Sequence, residues 1–157
     1  MRLTRRGRIT VGLTLTVALL SLTVFVFARR GDGVIRPDDP CKDPPTLQTY
    51  RGVTLQPVAM QAFKKAQRAT GGAIDVVESY RSCSQQAIAC ERICGNADGC
   101  PGRCVKAGTS YHQLGAAIDI TQASLDRDGV IDSLTSAGWC ESVPRTDPGH
   151  FSYGGCH

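Results

Sequence analysis

The hydrophobic positions of this 157-residue chain fall into one long unbroken run followed by several short periodic ones. Residues 9–28 carry no charge and have no polar face to orient them, a pattern that suits a bilayer span better than a helix lying on a soluble core. Residues 31–45 are rich in Gly, Pro and Asp, lack periodicity and read as a tether. Pro57 then suits a first helical position, and Val58, Ala62, Phe63, Ala66 and Ala69 recur at helical spacing until Gly71 and Gly72. Residues 73–80, with Ile74, Val76 and Val77, predict a strand that delivers Arg81 to its end. A short helix is predicted over 84–94, a cysteine-pinned loop over 95–108 and a strand over 116–120. Within 125–137 a further helix precedes Trp139, and Pro148-Gly149 reads as a turn into a strand that starts at 151–153. The chain therefore reads as a mixed α and β domain.

Charge divides at the same boundary as hydropathy. The formal net charge is +4, but residues 1–30 hold six Arg and no acid, which leaves 12 basic and 14 acidic residues beyond them, a net of −2. No basic surface for nucleic acid is implied. The basic flank, with Arg2, Arg5, Arg6 and Arg8, predicts a cytoplasmic amino terminus and an extracytoplasmic remainder. Val26-Phe27-Ala28 offers a cleavage site, but the apolar run exceeds an ordinary signal core, so an uncleaved signal-anchor is expected at 1–30. Residues 46–157, beyond the tether, have the size of one ordinary domain.

All eight cysteines (41, 83, 90, 94, 100, 104, 140 and 156) lie beyond the apolar run. An even count in an oxidising compartment predicts disulfides, whose connectivity eight cysteines do not reveal. The alternative is a metal knuckle, because Cys90, Cys94, Cys100 and Cys104 have the spacing to supply four thiolates. Asp126-Arg127-Asp128-Gly129 hints at a calcium loop, but Val130 and Asp132 do not continue that pattern and a solvated turn is expected.

Candidate chemistry concentrates in residues 110–119, S-Y-H-Q-L-G-A-A-I-D. His112 and Asp119 are seven apart, a parity that puts them on opposite faces of a regular strand. Gly115, placed in a bulge or tight turn, brings both to one side, while Ala116 and Ala117 leave room between them. An imidazole and a carboxylate suit zinc, whose catalytic sites use three protein ligands and keep one position open. Of the other histidines, His150 follows the Pro148-Gly149 turn on a defined edge, whereas His157 is the last residue. His150 is the expected third ligand, although single histidines are more often ordinary surface or core residues.

The pattern S-x-H-x-x-G-x-A-x-D, an acidic residue three before a later histidine, and the upstream S-Y-R-S-C-S-Q-Q run at residues 79–86, which is similar to a Y-R-S segment, together resemble the zinc D-alanyl-D-alanine carboxypeptidases and their peptidoglycan endopeptidase relatives. The likeness covers about half the chain, from residue 79 to residue 153. It implies an α+β fold of the Hedgehog/DD-peptidase type, with helices packed on a small antiparallel sheet, here disulfide-braced. It also implies one zinc per chain, held by His112, Asp119 and His150. Asp147 matches the family's catalytic base, Arg81 the arginine that stabilises the oxyanion or holds substrate, and Ser110 a group that fixes the substrate backbone; Glu78 and Glu141 match no role. The implied activity is carboxypeptidase action on peptidoglycan stem peptides. Departures point elsewhere: Asp147-Pro148-Gly149-His150 replaces a common Glu-Pro-Trp-His, and with S-Y-H it resembles endopeptidases that cut between L-Ala and D-Glu. Tyr153-Gly154-Gly155 leans back toward the carboxypeptidases, and the cysteine-rich insertion at 90–104 is outside the common pattern. A non-catalytic zinc-bound module that binds wall peptides or a protein is the alternative from another class.

Overall fold

The computed structural model describes residues 33–142 and 147–155. The basic tail and apolar run at 1–30 lie outside them, and among the described residues no helix is long and apolar enough to cross a membrane.

A hairpin opens the domain, with β1 (Gln48–Tyr50) antiparallel to β2 (Val53–Leu55). The sequence reading did not anticipate it. Its turn is Arg51-Gly52, both at positive φ, the backbone that a two-residue hairpin requires. Burial of Val53 and Leu55 around half-exposed Thr54 then follows the two-residue period of a strand. Helix α1 (Pro57–Ala69) starts on its proline and ends before Gly71-Gly72 as the pattern predicts. Its buried stripe is Ala59, Met60, Ala62, Phe63 and Ala66; Val58 is half-buried and Ala69 exposed.

Four short strands form the main sheet: β3 (Val76–Glu78), β4 (Ala117–Ile120), β5 (Trp139–Glu141) and β6 (His150–Tyr153). Their order is β3-β4-β6-β5, antiparallel throughout. β3 is shorter than the strand expected at 73–80 because the backbone at Asp75 is taken by other partners: its N–H donates to Ser124 Oγ (2.8 Å) and its carbonyl accepts from Thr121 N–H (2.9 Å). A short helix not anticipated, α3 (Gln122–Leu125), precedes the helix expected within 125–137, which is α4 (Val130–Ser136). Asp126 caps the first and Gly129 opens the second, so the calcium-like run is a helix-to-helix turn. Met60 and Phe63 of α1, Ile118 and Ile120 of β4, Val130 and Leu134 of α4, Trp139 and Phe151 make one core between helices and sheet. This is the α+β, small-sheet architecture the motifs imply.

Helix α2 (Cys83–Cys94) is held differently. It has a reciprocal Ser82/Gln85 capping box and buries only Gln86 and Cys90. Disulfides replace an apolar face: Cys83 is joined to Cys41, Cys90 to Cys104 and Cys94 to Cys100. Cys140 is also disulfide-bonded, and no described cysteine is free. The four sulfurs of the insertion are thus paired, which rules out the thiolate knuckle.

The segment read as a tether is docked over its described part. Val34 is buried; Gln56 donates to the carbonyl of Ile35 (2.6 Å) and accepts from its N–H (2.8 Å), while Arg36 Nη2 donates to the Gly154 carbonyl (3.0 Å). Such contacts need no periodicity, because they are made one by one to backbone groups, and the Cys41–Cys83 bridge fastens the rest.

The bridges close loops of 42, 14 and 6 residues. Chain entropy therefore ranks them, at about 4 kcal/mol for Cys41–Cys83 and about 2 kcal/mol for Cys94–Cys100. Paired serine variants are expected to lose stability in that order in urea unfolding. A larger loss from the Cys94–Cys100 pair would contradict the ranking.

Candidate metal centre

Three strands and one turn converge on a single cluster. Asp119 of β4 stands directly opposite His150 of β6 and, on its other side, opposite Glu78 of β3. Opposed residues share a face of a sheet, so these side chains project to the same side. Glu141 is instead opposite Phe151 and shares the core-facing side. His112 lies not on a strand but in a turn at 111–115, whose bonds run from Gly115 N–H to the His112 carbonyl (3.0 Å) and from Ala116 N–H to the Tyr111 carbonyl (3.0 Å). Gly115 adopts φ +62° there, the tight turn that restores parity between His112 and Asp119. Ala116 and Ala117 are fully buried under the turn.

A Cβ on Gly115 would come within 2.6 Å of Leu47 Cδ2 and 2.9 Å of the Gln56 backbone nitrogen. Gly115→Ala is therefore expected to destabilise the chain by about 1 to 3 kcal/mol and to displace His112. Chemical denaturation checks the first effect and metal titration the second; wild-type values in both would mean that this turn is not what places His112.

His112 Nε2, His150 Nδ1 and Asp119 Oδ1 face one another at 3.3 Å (His112–His150), 3.4 Å (His112–Asp119) and 2.8 Å (His150–Asp119). Zinc bonds to nitrogen and oxygen of about 2.0 to 2.2 Å in a tetrahedron put neighbouring ligand atoms roughly 3.3 to 3.6 Å apart. The triangle is thus close to a zinc face, with the carboxylate able to withdraw slightly. Among the described residues this is the one group of three or more His, Cys, Asp or Glu side chains whose donor atoms gather so closely.

The outer atoms of both rings are engaged. His112 Nδ1 lies 2.5 Å from the Ser79 carbonyl, which can only accept, so that nitrogen carries the proton and Nε2 presents its lone pair. His150 Nε2 lies 3.3 Å from Ser152 Oγ, which also receives a bond from Ser142 Oγ at 2.7 Å. Such outer hydrogen bonds fix ring orientation and raise ligand basicity. Burial opposes ionisation of Asp119, but hydrogen bonds and charge from His112 and His150 outweigh it and hold the carboxyl well below the usual carboxylate range. One carboxylate oxygen beside two ring nitrogens is a donor set that zinc accepts.

Arg81 reaches the cluster just beyond β3. Its Nε donates to Glu78 Oε1 (2.6 Å), its Nη2 also bonds Glu78, and its Nη1 donates to Gln86 Oε1 (2.9 Å). The Glu78 bond raises the guanidinium pKa against the effect of burial, and the charges of Asp119 and Asp147 add to the rise. Asp147 is exposed at the start of the Pro148-Gly149 turn, its carbonyl accepting from His150 N–H at 3.2 Å. Ser110 is buried, with Oγ accepting from His112 N–H (3.3 Å), so its hydroxyl supports the turn that carries His112.

Sequence reasoning left Glu78 without a role, gave Gln86 none beyond its place in the run at 79–86, and missed Gln113 and Gln56. Gln113 Oε1 accepts from Gly108 N–H (2.7 Å) and Ser110 N–H (3.2 Å), and Gln56 Nε2 donates to the Leu114 carbonyl (2.6 Å). Glutamine has no motif of its own. Only its full burial marks these three.

No family model and no curated protein matches the sequence. Solved structures do match the fold. VanYB in complex with D-alanine-D-alanine has a TM-score of 0.56 at 19% identity, over 71% of this chain and 78% of that one. A mutant of the vancomycin resistance D,D-pentapeptidase VanY in complex with Zn(II) gives 0.55 at 19% identity, over 71% and 79%. The LD-carboxypeptidase LdcB gives 0.50 at 19% identity, over 76% and 66%. The chain has the fold of these peptidases, as its motifs imply.

Proposed function

We propose that this chain is a zinc-dependent peptidase of peptidoglycan stem peptides. The observation that carries the reading is the triangle of His112 Nε2, Asp119 Oδ1 and His150 Nδ1, whose edges suit one zinc. The fold shared with peptidases supports it, one of them in complex with D-alanine-D-alanine. Zinc held there would supply Lewis acidity toward a scissile carbonyl and a water nucleophile near neutral pH. The chain's own residues do the rest. Asp147 takes the proton of the attacking water and returns it to the leaving amine. Arg81, held by Glu78 and Gln86, donates to the developing oxyanion from a fixed position. Ser110 steadies the His112 turn at the edge where substrate backbone lies.

D-alanyl-D-alanine carboxypeptidase is the specific activity proposed, with residues 1–30 anchoring the domain beneath the wall. Two observations favour the second reading, an endopeptidase cutting between L-Ala and D-Glu: the Asp147-Pro148-Gly149-His150 sequence, and the pairing of Arg81 with Glu78, which compensates the charge a terminal carboxylate would seek. Product masses from zinc-loaded protein and muropeptides test both. Release of D-alanine, lost when the terminal carboxylate is amidated, is expected for the carboxypeptidase; cleavage after L-Ala whatever the terminus identifies the endopeptidase. Zinc binding without turnover would leave a wall-binding module.

A further inference from the structure

Beside the candidate metal centre a groove of about 350 Å3 is lined by Glu78, Arg81 and one face of α2: Gln85, Ile88, Ala89 and Arg92. Those four recur at i, i+3, i+4 and i+7, a continuous stripe along the helix. Ile88 is 53% exposed. Because disulfides at Cys83, Cys90 and Cys94 fasten α2, its position does not depend on burying this stripe. The groove holds two cations with different duties. Arg81 is compensated by Glu78, whereas among the described residues Arg92 takes part in no ion pair.

We propose that this groove is a subsite for the flank of a peptide substrate, and that Arg92 receives a carboxylate carried on that flank. The proposal rests on the peptidase reading above. Continuity with the centre through Arg81, an apolar floor at Ile88 and Ala89, and a free positive charge at the far end define the occupant: an extended peptide with an acidic group. Gln85 and Arg92 are seven residues apart, about 10 Å along a helix, which an extended peptide covers in roughly three residues. The carboxylate is therefore expected about three residues from the Arg81 end. Arg92 in the last turn of α2 also suits the helix dipole, so the test must separate recognition from helix stability.

Zinc-loaded full-length chain, as wild type, Arg92→Ala, Arg92→Glu and Arg92→Lys, is assayed on the peptide L-Ala-γ-D-Glu-L-Lys-D-Ala-D-Ala. Companion peptides have the glutamyl α-carboxylate amidated, or the terminal carboxylate amidated. Both KM with kcat and calorimetric Kd are read. Arg92→Ala is expected to raise KM and Kd about three- to tenfold for peptides that keep the recognised carboxylate, with kcat unchanged, and Arg92→Glu to raise them further. Arg92→Lys should recover most of the loss. Amidating that one carboxylate should make wild type and Arg92→Ala equal, and raising salt should narrow the gap between them. An equal effect on all three peptides, or none, overturns the subsite. If wild type turns over no peptide, the peptidase reading fails, and calorimetry still judges the groove: a carboxylate-dependent loss in Arg92→Ala supports it, and unchanged affinity overturns it.

Discussion

His112→Ala, Asp119→Ala and His150→Ala are each expected to remove stoichiometric zinc from the protein, while His157→Ala leaves one zinc per chain. The reason is geometric. The three donor atoms lie 2.8 to 3.4 Å apart on three separately fixed elements, and no other described His, Cys, Asp or Glu joins the group, so no described side chain of those types is at hand to replace a lost ligand. Ser152→Ala sets a scale. It takes away the hydrogen-bond partner of His150 Nε2, along with the acceptor of Ser142 Oγ, and loss of such an outer partner typically weakens metal binding about 10- to 100-fold. The ligand variants should exceed that. Metal content after chelator competition measures all five proteins; full zinc occupancy in the His150 variant, or loss confined to the His157 variant, would overturn the ligand set.

Asp147→Asn is expected to keep zinc and lose about 10²- to 10⁴-fold in turnover, the usual contribution of a positioned acid–base group. Aspartate is one methylene shorter than glutamate, so the turn must bring its backbone close. Gly149 lets the turn lie close against β4: it is buried at φ +97°, where a Cβ would stand 2.9 Å from the Ile120 carbonyl. Its own carbonyl accepts from Ile120 N–H at 3.0 Å. The turn is thus pinned to the end of β4, the strand that carries Asp119. Arg81→Ala, with metal still bound, should lose about 10²- to 10³-fold through the missing oxyanion donor. Full activity in Asp147→Asn on either class of peptide would show that another group moves the proton.

Local chemistry made much of this molecule legible in the linear chain. Pro57 and Gly71-Gly72 mark α1, because a proline can start a helix and a glycine pair can stop it wherever they occur. Gly115 between His112 and Asp119 announces a turn, because the parity of seven residues leaves no other way to bring those side chains together on a strand. Eight cysteines beyond an apolar run predict oxidised pairs, and the seven in the described residues are all bonded.

What the tertiary structure decided are relations between distant segments, which no local pattern carries. Cysteine pairing depends on which sulfurs the fold brings together, so spacing alone kept a thiolate knuckle open. Glu78 gains meaning only when β3 pairs with β4 and sets it opposite Asp119, within reach of Arg81. The segment at 33–45 binds the domain through single hydrogen bonds and one bridge, and such contacts leave no period to read. The hairpin at residues 48–55 is three residues to a strand, too short for alternation to stand out from chance. His150 became a neighbour of Asp119 through strand register, which is settled by the pairing of β4 with β6 and by burial of Ile118 against Phe151 on the opposite face.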